Sequence, residues 1–186
     1  MIGPLASQHI VLQRFPVVTT TGGEWRSRHP GSQALALTTG HKRDYSEGAA
    51  SRNYFENDAL MFPVPQPEDR LNNKAEVLGL LLDEAQPLAI AAAFLAKNPI
   101  HHDVSGDTKI VVLTDVSGAN RVYKAGDMEF VQVAQDGVVI AKDGSEWQQN
   151  EQTLMRDDGA KLPRLPAHRA FWFGWHAAFP ETRWVF

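Results

Sequence analysis

Leu12, Arg14, Pro16, Trp25 and Pro30 recur without a gap as Leu162, Arg164, Pro166, Trp175 and Pro180, each pair 150 positions apart. Such a repeat constrains architecture more than any single motif, because duplicated segments fold into equivalent units. Its weight lies in the residue types matched, two prolines and a tryptophan among them. The segments that follow also agree, Gln33-Ala-Leu35-Ala-Leu37 against Arg183-Trp-Val185-Phe186. These residues mark equivalent corners of a duplicated unit and carry no chemistry of their own.

The 186 residues suffice for a core without staples, since a chain of this size buries roughly two-thirds of the surface it exposes unfolded. A net charge of -4 with no Lys/Arg run longer than two argues against nucleic acid, whose binders need a clustered positive surface. The chain has no cysteine, which excludes disulfides, cysteine nucleophiles, thiolate zinc sites and iron-sulfur clusters. The longest mainly apolar stretch, Pro87 to Ala96, is about half of the ~20 residues a membrane-spanning helix needs. Met1 to His9 has neither a basic region nor an apolar one, so no signal peptide is expected in it.

Thr21 and Glu24 have capping-box spacing, which predicts a short helix ending by Pro30. The matching stretch Ala170 to Phe179 is far more apolar and predicts the buried version of that helix, stopped by Pro180 and followed by a closing strand over Thr182 to Phe186. Between them, Gly40 to Lys74 is polar, charged and aromatic, with prolines at 63, 65 and 67. It reads as a long ordered loop, because a disordered linker would hold fewer aromatics. Ala75 to Asp83 reads as a strand, and after a turn at Glu84-Ala-Gln86, Leu88 to Lys97 reads as a buried helix that is apolar nearly all round. Strands are then expected at Ile100–Val104, Lys109–Thr114, Arg121–Lys124, Met128–Ala134 and Val138–Lys142, with a short piece at Trp147. Hairpin-type turns such as Asp136-Gly137 and Asp143-Gly144 separate several of them. The fold class is therefore α+β, mainly an antiparallel meander with a few short helices.

His101-His102-Asp103 is the most ligand-like cluster. On a strand His101 and Asp103 share one face while His102 points to the other, so at most two ligands converge and ordinary hydrogen bonding is the favoured reading. No serine elbow, P-loop, zincin helix or dinucleotide fingerprint is present. The polar loop remains, with Arg43, Asp44 and Tyr45, then Tyr54, then Asp69, Arg70 and Lys74. Arginine beside aspartate can hold anionic or sugar-like ligands by paired contacts, with tyrosine faces for stacking. The same residues can equally form pairs that hold a long loop in one shape. Both alternatives stand at the level of sequence.

Gly40-His-Lys-Arg43-Asp44-Tyr45, Tyr54, Asp58, Phe62-Pro-Val64, Asp69-Arg-Leu71, Lys74 and Val77-Leu-Gly79 resemble the signature of a bacterial domain of unknown function, family 3179. Gly3-Pro-Leu-Ala6, Phe15 to Val18, Thr20 to Pro30 and Ala170 to Pro180 fit the same pattern. The resemblance implies two tandem copies of one module, usually exported, the first carrying a Cys-Pro-x-Cys element on a strand and turn. The corresponding turn here reads Thr114-Asp-Val-Ser-Gly118, without cysteine. The expected organisation is thus the end of a first module (1–36), a structured polar linker (37–76) and a complete second module (77–186). The counterpart of residue 77 would lie about 74 positions ahead of Met1. No cofactor is expected, and a partial unit should leave strand edges open to self-association. Two functions stay open: a non-enzymatic ligand- or partner-binding scaffold of the cell envelope, or the non-catalytic remainder of an enzyme or redox protein whose cysteine element lies upstream.

Overall fold

The computed structural model describes residues 13–64, 69–83, 85–134 and 137–186. Leu12 of the repeat, Gly3 to Ala6, Pro65, Pro67, and the turns at Glu84 and Asp136 fall wholly or partly outside the described residues. Two short helices, α1 (Gly22–Arg28) and α2 (Arg52–Phe55), precede β1 (Glu76–Leu80) and β2 (Leu88–Ala91). Helix α3 (Ala92–Lys97) leads into β3 (Ile100–Ser105), β4 (Thr108–Thr114) and β5 (Asn120–Lys124). Next come β6 (Phe130–Val133), β7 (Val138–Ala141), β8 (Glu146–Gln149), β9 (Thr153–Met155) and β10 (Lys161–Pro163). β11 (Ala167–Phe171), α4 (Trp172–Ala178) and β12 (Arg183–Val185) close the chain. The fold is α+β and dominated by antiparallel pairing.

Strand alternation sorts the apolar residues into three cores. The outer sheet runs β11-β1-β2-β12, the middle sheet β3-β4-β5 and the far sheet β10-β9-β8-β7-β6. Leu78, Leu80, Leu88 and Ile90 of the outer sheet meet Ile110, Val112 and Val122 of the middle sheet. The opposite face of the middle sheet, with Val111, Leu113 and Tyr123, packs on Phe130, Val139, Trp147 and Leu154 of the far sheet. Val77 and Ala89 turn the other way, under Trp172 and Trp175 of α4. The result is a stack of helix and three sheets in which β1, β2 and β4 are buried on both faces. Their apolar runs are therefore continuous rather than alternating.

Most sequence-level elements appear where expected, with one clear correction. Leu88 to Lys97 is not one helix, because Leu88–Ala91 is a strand and the helix begins at Ala92. Leu88 to Ile90 pair antiparallel with β1 and parallel with β12. They bury side chains on both faces, and this pairing overrides the local helical preference of an alanine-rich run. Leu95 is the one buried residue of α3, so that helix is not enclosed all round. The capping box is also half formed. Thr21 Oγ1 accepts from the Glu24 amide at 3.2 Å, but the Glu24 carboxylate turns to Thr20 Oγ1 at 2.5 Å and to arginines instead.

The two tryptophan helices match in detail. Both have seven residues, end on caps with φ/ψ of -128°/68° at His29 and -136°/70° at Phe179, and return a cap amide to the carbonyl of Trp25 or Trp175. Trp25 Nε1 donates to Ser32 Oγ at 3.0 Å, and Trp175 Nε1 to Thr182 Oγ1 at 3.0 Å. Ser32 and Thr182 are again 150 apart. Their surroundings differ: Trp175 is 2% exposed and Trp25 50%. Trp175 lies on Gly79 of β1, where a Cβ would sit 2.1 Å from Cζ3 of the indole. Gly79→Ala should therefore lower stability by about 2–3 kcal/mol, as overpacking does. In urea unfolding the midpoint should fall with the slope unchanged.

Candidate functional site

The β4–β5 turn is built around one aspartate. Asp115 Oδ1 accepts from the Ser117 amide at 2.8 Å, the Ser117 hydroxyl at 2.6 Å and the Ala119 amide at 3.1 Å. Gly118 takes φ of +81°, a conformation in which a side chain would be strained. From β11, Arg169 donates to the Gly118 carbonyl at 2.6 Å and to Asn120 Oδ1 at 2.8 Å, while also pairing with Glu76. Asn120 in turn donates to Thr114 Oγ1 at 2.9 Å. Side chains from β4, β5 and β11 thus hold the turn in one shape.

The second oxygen of Asp115 opens a half-buried ion cluster centred on the Arg121 guanidinium. Arg121 on β5, 2% exposed, donates through Nη1 to Asp115 Oδ2 at 2.9 Å. Its Nη2 lies 3.3 Å from Glu24 Oε1 and 3.7 Å from Glu151 Oε1. Arg28 pairs with Glu24, reaches Glu151 at 3.3 Å and lies 4.0 Å from Asp115. Arg164 donates to the Glu151 carbonyl at 2.8 Å. Thr20 Oγ1 lies 3.3 Å from Ser117 Oγ. Three guanidinium groups and three carboxylates therefore pin α1 to the β4–β5 turn.

Electrostatics follow from this crowding. Burial pushes Glu24 and Asp115 up, but for Glu24 the Thr20 hydrogen bond with Arg28 and Arg121, and for Asp115 the bonds from Ser117 and Arg121, bring both carboxyls below their ordinary range. Burial opposes the charge of Arg121, yet its three carboxylate neighbours raise its pKa. Arg164 is lowered by burial. The cluster is a balanced charge clasp, with Arg121 Nε buried and without a hydrogen-bond partner among the described residues.

The loop residues singled out from sequence fall into three places. Arg43, Asp44 and Tyr45 share an exposed turn in which Asp44 Oδ1 accepts from the Ser46 amide at 2.9 Å and Tyr45 OH meets Thr39 Oγ1 at 2.8 Å. Tyr54 and Lys74 come together: the ammonium lies 4.0 Å from the tyrosine ring centroid and donates to the Tyr54 and Asn57 carbonyls. Asp58 completes that anchor by accepting from the Asn73 and Lys74 amides at 2.9 and 3.0 Å. Those amide bonds hold its carboxyl below the usual range. Asp69 is exposed, and the Arg70 guanidinium lies 5.1 Å from the Trp184 ring centroid and 5.7 Å from that of Trp172. The histidine triplet behaves as the strand geometry requires. His101 reaches Asp103 at 3.4 Å, His102 turns to the Phe130 backbone, and Asp103 is engaged by Arg183 at 2.9 Å. Among the described residues no three such groups are placed to hold a metal ion.

Sequence reasoning missed the clasp. Its members are separated by up to 140 positions, from Glu24 to Arg164, and the available signal was the acid-base pair Glu24 and Arg28 one helical turn apart.

A stack of mainly antiparallel sheets, carrying a helix clasped by ion pairs around the buried Arg121, defines the chain as an α+β protein. The family model described as protein of unknown function (DUF3179) matches residues 1–182, and the chain belongs to this family. No curated protein and no solved structure matches it.

Two outcomes follow from the clasp. Arg121→Met leaves the half-buried Asp115 without its guanidinium partner and Glu24 with Arg28 alone, and should cost about 1–3 kcal/mol in thermal or urea unfolding. Both carboxyls are depressed in the folded state, so their contribution is complete above their unfolded values of 4.5 and 3.8 and is lost as pH falls through the lower folded values. Acidification below about pH 4 should therefore release α1, read at that pH as loss of hydrogen-exchange protection at the Trp25 and His29 amides, which bond Thr21 and Trp25 carbonyls in the folded helix.

Proposed function

We propose that this chain is a non-enzymatic ligand- or partner-binding scaffold module of the cell envelope, with residues 37–76 as its contact face. The observation that carries this reading is the division of labour within that segment. Lys74, Asp58 and Arg70 spend their polar groups inward, on the Tyr54 and Asn57 carbonyls, on backbone amides and on the Trp172 and Trp184 rings. Arg43 and Tyr45 stay exposed on a turn shaped by Asp44. A long loop anchored at its base and polar at its tip suits recognition. An exposed arginine beside a tyrosine edge favours anionic or sugar-like groups. The envelope assignment rests on the family resemblance, and in the described residues no helix is long and apolar enough to cross a membrane.

The same reading takes residues 1–36 as the end of a first module and 77–186 as a complete second one, which the matched geometry of α1 and α4 supports. A second reading, in which the chain is the non-catalytic part of a redox protein, is favoured by the cysteine-free turn at Asp115 and by the half-exposed Trp25. A cysteine-bearing strand encoded upstream would select it.

The binding reading is tested by thermal shift against a panel of acidic and neutral oligosaccharides. At least one anionic sugar should raise the melting temperature of the parent chain, and Arg43→Ala should abolish the rise while leaving the unliganded melting temperature unchanged. Arg70→Ala should instead lower the unliganded value. A panel with no shift, or a shift that survives Arg43→Ala, counts against residues 37–76 as the contact face.

A further inference from the structure

Helices α1 and α4 are built alike but face opposite ways. The face of α1 that meets the second module carries Glu24 and Arg28, bound to Arg121, Asp115 and Glu151. In α4 the equivalent positions are Gly174 and Ala178, and both are exposed. Conversely Trp25 is exposed where Trp175 is buried. Helix α1 is therefore held by what is the outer face of α4, and its inner face, with the tryptophan already oriented by Ser32, is uncovered by the described residues.

The second module shows what such a face fits. Trp175 rests on Gly79 of β1, which pairs directly with Ala89 of β2 and with His168 of β11. Val77 and Ala89 share the cluster with the indole, and the His168 ring centroid lies 5.7 Å from it. The socket is thus a small-residue notch, glycine opposite alanine, in an antiparallel hairpin. The flanking strand follows the same logic. β11 leads directly into α4 and pairs along one edge with β1, while the Val17 amide donates to the Ala167 carbonyl at 3.2 Å. Val17 and Ala167 are themselves 150 apart, so equivalent residues meet, as a local two-fold relation requires. The side of residues 17–21 away from β11 corresponds to the edge that β1 occupies in the second module.

We infer that α1 and residues 17–21 form a docking surface for a glycine-notched β-hairpin, the counterpart of β1 and β2, supplied by polypeptide other than the described residues. The hairpin pairs along residues 17–21 and receives the Trp25 indole over its glycine, a strand addition completed by a knob. Isolated hairpins are marginal in water and gain stability by packing on a helix, which α1 provides. The inference rests on the duplicated-unit reading and not on any ligand at residues 37–76, so the oligosaccharide test leaves it untouched.

The probe is a second copy of residues 75–92 tethered ahead of the full chain by a flexible Gly/Ser linker, which raises its local concentration. The indole N–H resonance of Trp25, assigned by its loss in Trp25→Phe, is followed by NMR. The tethered copy should shift that resonance and slow its exchange with water, and Gly79→Val in the tethered copy alone should restore the parent spectrum. A resonance that the glycine copy leaves unmoved overturns the inference. So does an equal shift from the valine copy, which marks a nonspecific apolar contact.

Discussion

β1, β2 and β4 each serve two cores at once, and the remainder of the molecule is arranged around that demand. A strand buried on both faces must find apolar partners on each, and the chain supplies them as α4 over the outer sheet and as the far sheet under the middle one. Successive residues take opposite duties: Val77 faces α4, Leu78 the inter-sheet core, Gly79 the Trp175 ring and Leu80 the inter-sheet core again. A one-residue slip in the register of β1 would reverse all of these assignments. Gly79 is the tightest point, because the indole occupies the space a side chain would need.

Charge rather than apolar area fastens the N-terminal part to this stack. Helix α1 has no buried residue, yet Glu24 and Arg28 enter the cluster around Arg121. Buried ion pairs contribute little net stability when compared with apolar packing, but they penalise misplaced partners heavily and so favour one orientation. That orientation keeps Trp25 outward. It also seats α1 against the β4–β5 turn, so the helix and the Asp115 turn are one structural unit. The polar loop is separately secured, by Lys74 beneath Tyr54 and by Arg70 over two tryptophan rings.

Much of the fold was legible because its signals are local. Pro30 and Pro180 end helices wherever they stand, Thr21 caps α1, and the apolar run Lys109 to Thr114 gave a strand with the expected bounds to within a residue. β9, β10 and β11 were not anticipated, since three- to five-residue strands such as Thr153–Met155 contain too few positions to show alternation. Leu88–Ala91 was misread as helix, because alanine-rich sequence favours a helix locally and only pairing between β1 and β12 makes it a strand. At the candidate site, Tyr54 and Lys74 each stood out in the sequence by residue type, but their proximity is a product of the loop's path. Asp115, Arg121 and Glu151 gave no sign of acting together.

The amino-acid sequence by itself determined the matching prolines and tryptophans 150 positions apart, the helix ends, the cysteine-free chemistry and the antiparallel class. These depend on covalent constraints, composition and short-range periodicity, which act whatever the rest of the chain does. The tertiary structure alone decided that two like helices present opposite faces, that Arg121 gathers carboxylates from three separate segments, and that one tryptophan is sealed while its counterpart stands half exposed. Burial and buried charge pairing are properties of which surfaces meet, and residues 24, 121 and 151 meet only after three sheets have stacked.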